Sequence, residues 1–108
     1  DSINKACAVL NGFDESLLQW IIDSGVAAIV SDNLAVEAVG KAVGPRGTNL
    51  PIHELCLFRL GVHLGELWFL ADLANYLKLE KRSRFLLTAP PLRLTGAVGS
   101  PVTPIATV

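Results

Sequence analysis

The 108-residue chain reads as a mixed α/β domain. Three observations predict this. Leu17, Leu18, Ile21 and Ile22 recur at three and four residues, which makes one apolar stripe on a helix. After a glycine comes the unbroken apolar run Val26–Val30, VAAIV, of the length and β-branched content of a strand. Two helical stretches then follow, and after them short strand-like stretches broken by prolines. The order helix, strand, helix, helix, strand, strand is that of a mixed sheet with packed helices. The length is that of a single domain, residues 1–108.

Each element has its own local reason. Ala6–Leu10 is a short apolar run closed by Asn11 and Gly12, and five residues do not decide between a strand and a helix end. Asp14 is placed as the N-cap of a helix over Glu15–Asp23, with Glu15 complementing the helix dipole and Gly25 as C-cap. Val26–Val30 is expected to be a strand buried on both faces. It ends in Ser31, Asp32 and Asn33, so polar groups line its C-terminal edge, where ligands commonly meet an α/β sheet. Leu34–Val43 carries no clear pattern, and Gly44–Asn49, GPRGTN, is loop. Pro51 suits the first turn of a helix running to Leu60, where Gly61 ends it. Val62–Trp68 is extended or looping. A second helix over Leu70–Lys81 is expected to bury Leu70, Leu73, Tyr76 and Leu77, with Lys78, Lys81 and Arg82 in its last turn. Arg84–Thr88 is a strand stopped by Pro90 and Pro91, Leu92–Leu94 an edge pairing, Gly96–Pro101 a loop, and Val102–Val108 an edge strand interrupted by Pro104.

Composition excludes some functions. Net charge is −1, so no electrostatic case exists for nucleic acid. Lys81, Arg82 and Arg84 form the one basic cluster, which reads as a solvated helix tip. No apolar run reaches the roughly 18 residues of a membrane span. Cys7 and Cys56 are too few for a disulfide framework and read as reduced thiols in a cytoplasmic setting, with a single pair left open. No signal peptide is visible. The chain has no methionine, so Asp1 is expected to be a processed end or the start of a fragment. Hydrophobic residues make up 51% and charged residues 18%, against about 25% charged in a typical domain. Such a surface is expected to be covered in part by another chain, or else to be rich in Ala and Val.

The chemistry gathers in Leu50–Leu70, LPIHELCLFRLGVHLGELWFL, which holds both histidines and Cys56. Imidazole nitrogen and carboxylate oxygen are the usual pair for zinc or manganese, and His53 and Glu66 supply one of each. Their spacing matches no standard metal motif, nor does that of His53 and His63, and such residues are more often surface or core polar groups. Cys56 lies one helical turn from His53, so a Cys–His nucleophile pair competes with the commoner role of a small buried apolar residue. Asp32 and Glu37 are a carboxylate pair on one reading, and capping or solvated loop residues on the other.

Three blocks carry a family resemblance. VAAIVSDNLAVEA is similar to a strand ending in Ser-Asp or Gly-Asp with a following acidic residue. LPIHELCLFRLGVHLGELWFLADLA is similar to Leu-His, an apolar helix, Gly-Glu and Leu-x-x-Leu-Ala. RFLLTAPPLRLTGAVGSPVTPIA is similar to a strand, Pro-Leu, Gly-x-x-Gly-Ser-Pro and a closing Pro-Ile-Ala. Together, from Asn11 to Val108, they resemble the C-terminal half of the cyclase family, the metal-dependent hydrolases that include kynurenine formamidase and isatin hydrolase. Gly-Glu-Leu-Trp is similar to the longer subgroup.

The resemblance implies the swivelling α/β fold, a divalent metal such as zinc or manganese, and hydrolysis of an amide or cyclic amide by activated water. It implies that His53 and Glu66 are metal ligands, with His53 also the candidate catalytic residue, and that Gly96–Ser100 sits near a small-molecule substrate. The family's N-terminal motif, His-x-Gly-Thr-His-x-Asp, is absent here. A catalytic zinc usually takes three protein ligands. The expected partner is therefore a chain supplying that half, or further copies in a homo-oligomer. The alternative is a non-catalytic oligomerising or protein-interaction module that keeps the fold.

Overall fold

The computed structural model describes residues 8–39 and 47–108. The chain forms two compact units, Asp1–Trp68 and Phe69–Val108. Ala6 and Cys7, the end of the Leu34–Val43 stretch from residue 40 on, and residues 44–46 of the expected loop Gly44–Asn49 lie outside the described residues.

In the first unit, α1 spans Glu15–Ser24. Its start is set by Asp14, whose carboxylate accepts from the amides of Ser16 (2.9 Å) and Leu17 (3.2 Å) and from the Ser16 hydroxyl (2.6 Å). These contacts, the hydroxyl bond first, lower the Asp14 pKa. Gly25 ends the helix at φ 66°, a left-handed conformation that costs glycine little. Strand β1, Ala28–Val30, then pairs in parallel with β2, His63–Gly65, with Ala28 opposite His63 and Val30 opposite Gly65. The chain between them crosses over through α2, Pro51–His53, which runs on as a π-helical segment, Glu54–Leu60. Pro51 occupies the first turn and Gly61 the left-handed C-cap, as their chemistry predicts. Leu10 makes an isolated parallel bridge to Glu37, so the tail of the Ala6–Leu10 run is extended.

The core of this unit comes from several elements. α1 gives Leu18 and Ile21, the loop after β1 gives Val36, and the α2 segment gives Ile52 and Cys56, four residues apart on one face; Val62 completes it. β1 departs from the expected two-sided burial. Ala28 is exposed and Ile29 and Val30 are half-buried: side chains of a strand project from the two faces of the sheet, and the described chain does not fully cover either face of β1.

In the second unit, α3 spans Ala71–Leu79. It ends earlier than its sequence suggests: Lys81 takes a left-handed φ of 50°, and the Arg82 amide donates back to the Leu77 carbonyl at 3.0 Å. Lys78 alone of the three expected cations lies in the last turn. The expected burial of its stripe is also weaker: Leu70, Leu73 and Leu77 are half-buried and Tyr76 is exposed. β3, Leu86–Thr88, pairs antiparallel with β4, Ile105–Thr107, directly after Pro104. Pro91 and Val102 form a further bridge. The whole is a small mixed α/β structure with two two-stranded sheets among the described residues. No helix among them is long and apolar enough to cross a membrane.

Candidate metal and proton-transfer site

His53 is brought between two carboxylates. Its Nδ1 lies 2.7 Å from Glu37 Oε1, and its Nε2 lies 3.1 Å from Glu66 Oε1. The three residues come from separate places in the first unit: the loop after β1, the first turn of α2, and the residue directly after β2. The parallel pairing of β1 and β2 puts the ends of both strands side by side. The ladder runs on past them, with the Ser31 amide donating to the Gly65 carbonyl (2.9 Å) and the Trp68 amide to the Ser31 carbonyl (3.1 Å). Glu66 thus stands at the C-terminal edge of the sheet, where polar groups were expected.

Glu37 is the best-held member. Its side chain is 0% exposed. Oε1 accepts from the His53 amide (2.8 Å) as well as facing the ring, and Oε2 accepts from the Ile52 amide (3.0 Å). Those amides belong to the first turn of α2, where helix N–H groups have no intrahelical partner. Leu50, at the N-cap position, has no side chain that could serve them. A carboxylate from sixteen residues upstream therefore caps this helix, and the dipole of the helix start favours its charge. Gly12 makes the room: a Cβ there would overlap Glu37 Oε2 and approach Pro51 Cδ to 3.1 Å.

Glu66 is held differently. Its Oε1 also accepts from the Val36 amide at 3.3 Å, and its side chain is 32% exposed. The next residue, Leu67, takes φ 59°, uncommon for a side chain other than glycine, asparagine or aspartate. Its amide donates to the Asn33 carbonyl at 2.9 Å, which holds the turn, while Trp68 packs back over Gly65. Local strain of about 1–3 kcal/mol directly beside a candidate ligand is of the kind that functional sites carry.

Ionised carboxylates only accept hydrogen bonds. With one on each ring nitrogen, the arrangement needs a hydrogen on both nitrogens or a proton on one carboxyl. The group can therefore hold and pass a proton between His53 and Glu66 at Nε2, the more accessible side. Imidazole nitrogen and carboxylate oxygen also fit a divalent ion as two members of a ligand set, and the carboxylate behind Nδ1 is the usual support of a metal-bound histidine. Among the described residues no group of three or more His, Cys, Asp or Glu side chains is arranged to hold a metal.

The other candidates fall elsewhere. His63 is exposed on β2, and Asp32 is exposed, apart from Glu37 in role. Cys56 is a buried free thiol. Burial, and then the charge of Glu37, push its pKa up, which disfavours the thiolate that a Cys–His nucleophile needs. Ser100 Oγ accepts from the Leu92 amide at 2.8 Å and so braces the Gly96–Pro101 loop within the second unit. A small cleft lined by Leu18, Ile22, Leu55 and Arg59, among others, includes neither His53 nor Glu66. Glu37 is the residue that sequence reasoning undervalued. Its signal was an acidic side chain between Val36 and Ala38 in an otherwise small and apolar run.

No family model matches the chain, and no curated protein matches it. A solved structure does. It is described as the crystal structure of a novel cyclase, and it superposes with a TM-score of 0.72 at 41% sequence identity over 84% of this chain. The chain spans 28% of the length of that cyclase. Over most of its own length, then, this chain is similar in sequence and in fold to part of a cyclase, which supports the cyclase family without choosing a subgroup within it.

Proposed function

We propose that the chain is the C-terminal portion of a cyclase-like metal-dependent hydrolase that acts on an amide or cyclic amide. The observation that carries this reading is the convergence of His53 Nε2 and Glu66 Oε1 to 3.1 Å, with the other ring nitrogen of His53 on a buried carboxylate. The 41% identity to a cyclase supports it independently. On this reading His53 Nε2 and Glu66 hold a divalent ion, zinc or manganese, together with His and Asp ligands from a segment matching the rest of a cyclase-like protein. Such an ion, when bound, supplies Lewis acidity that makes water acidic enough to ionise near neutral pH. With Nε2 on the ion and Nδ1–H on Glu37, His53 would hold and orient the group, and the proton of the water would pass to a carboxylate oxygen of Glu66. The many exposed apolar side chains, Trp20, Phe58, Phe69 and Leu86 among them, suit a chain that meets further polypeptide, either a segment matching the rest of a cyclase-like protein or other copies of itself.

The same exposed surface favours a second reading, a non-catalytic oligomerising module. That reading needs His53 and Glu66 to serve structure alone. The test is elemental analysis of the purified protein, with its mass in solution taken on the same sample. Zinc or manganese in the assembly, lost in His53→Ala, is the expected result. A metal-free assembly would remove the hydrolase reading and leave the interaction module.

A further inference from the structure

We propose that Glu37 is the positioning residue of this site: it fixes His53 as the Nδ1–H tautomer and turns Nε2 toward Glu66 and whatever His53 serves. The metal part of this inference rests on the function proposed above; the tautomer part does not.

Three features of the geometry carry it. One oxygen of Glu37 binds both the backbone amide (2.8 Å) and the ring nitrogen (2.7 Å) of the same residue, so the ring is clamped relative to its own backbone. The carboxylate itself cannot swing, because the Ile52 amide holds its second oxygen at 3.0 Å and Gly12 lies directly against that oxygen. Burial keeps water from competing at Nδ1: the Glu37 side chain is 0% exposed, whereas Glu66 is 32% exposed, stands at 3.1 Å and shares its oxygen with the Val36 amide. When one ring hydrogen remains, it stays on the side of the shorter, drier and more constrained acceptor. Which nitrogen of a histidine carries hydrogen is set by the bond its other nitrogen makes. Loss of such an outer partner typically weakens metal affinity by about 10- to 100-fold.

The test is nitrogen-15 NMR of the imidazoles in the labelled, metal-free protein at about pH 9, above the usual imidazole range. His63, exposed on β2, provides a solvent reference in the same spectrum. The expected result is a His53 Nδ1–H tautomer in the wild type, replaced in Glu37→Gln by Nε2–H or a mixture like that of His63. An Nε2–H tautomer in the wild type would overturn the proposal, and this reading needs no variant to fold. Gly12→Ala, which forces the Glu37 carboxylate aside, is expected to act in the same direction as Glu37→Gln. Zinc added to the wild type is expected to move the Nε2 signal and leave Nδ1–H in place, with binding about 10- to 100-fold weaker in Glu37→Gln. Zinc on Nδ1 would also overturn it. Ring signals unmoved by zinc, with the Nδ1–H tautomer present, would count against the metal reading and for the positioning role.

Discussion

The two units use similar sequence material to different ends. Residues 8–68 bury Leu18, Ile21, Val36, Ile52, Cys56 and Val62 around one centre, with the carboxylate of Glu37 inside it. Residues 69–108 are about as rich in apolar side chains for their length yet bury none: α3 has no buried residue, the three residues of β3 are all exposed, and Phe69, Leu79 and Val98 stand in the open. Both units have correct local chemistry at their turns and helix ends. The difference teaches that local signals define elements, while burial depends on what the rest of the polypeptide brings. A chain spanning 28% of a cyclase has its site residues concentrated where its own core is, and on the proposed reading the second unit finds its cover in the remainder.

Matched substitutions break that comparison most directly. Ile52→Ala, at a fully buried position, is expected to cost about 3 kcal/mol in urea unfolding through lost burial and the cavity left behind. Gly12→Ala should cost about 2 kcal/mol, because the new Cβ meets the Glu37 carboxylate and Pro51 rather than open space. Asp14→Ala removes the cap of α1 and should lower the thermal midpoint by less, with a pH signature. The folded-state pKa of Asp14 is depressed, first by the Ser16 hydroxyl bond. Its contribution is therefore present above the ordinary aspartate range and lost as pH falls through the lower folded value. The stability difference between wild type and Asp14→Ala should accordingly shrink in acid. Leu86→Ala, 64% exposed, should change stability by no more than about 0.5 kcal/mol, although it removes as large a side chain as Ile52→Ala does. If the covered-face reading holds, its effect appears in the mass of the assembly instead. Cys56 should resist iodoacetamide at neutral pH until the protein unfolds, as followed by peptide mass spectrometry, because burial raises its pKa.

Much of the fold was legible because its determinants are local. Asp14, Gly25, Pro51 and Gly61 each act within a few residues of themselves, and each stands where its chemistry predicts. What depended on distant chain was not legible. VAAIV looks like a strand covered on both faces, but its covering is not set by those five residues. Leu57 and Phe58 are apolar yet exposed, while Ile52 and Cys56, four residues apart, carry the buried face, and residue type alone does not separate the two pairs. Within the site, His53 and Glu66 stood out by residue type and by resemblance. Glu37 acts across sixteen residues on a helix start that lacks a local cap, so no spacing rule announces it.

The central claim is that His53 Nε2 and Glu66 share one divalent ion. X-ray absorption at the zinc edge of the zinc-loaded protein tests it most directly. The account predicts nitrogen and oxygen donors at about 2.0–2.2 Å, an imidazole signature among them, and loss of that signature in His53→Ala. A sulfur donor at about 2.3 Å, or an imidazole signature that survives His53→Ala, would contradict it.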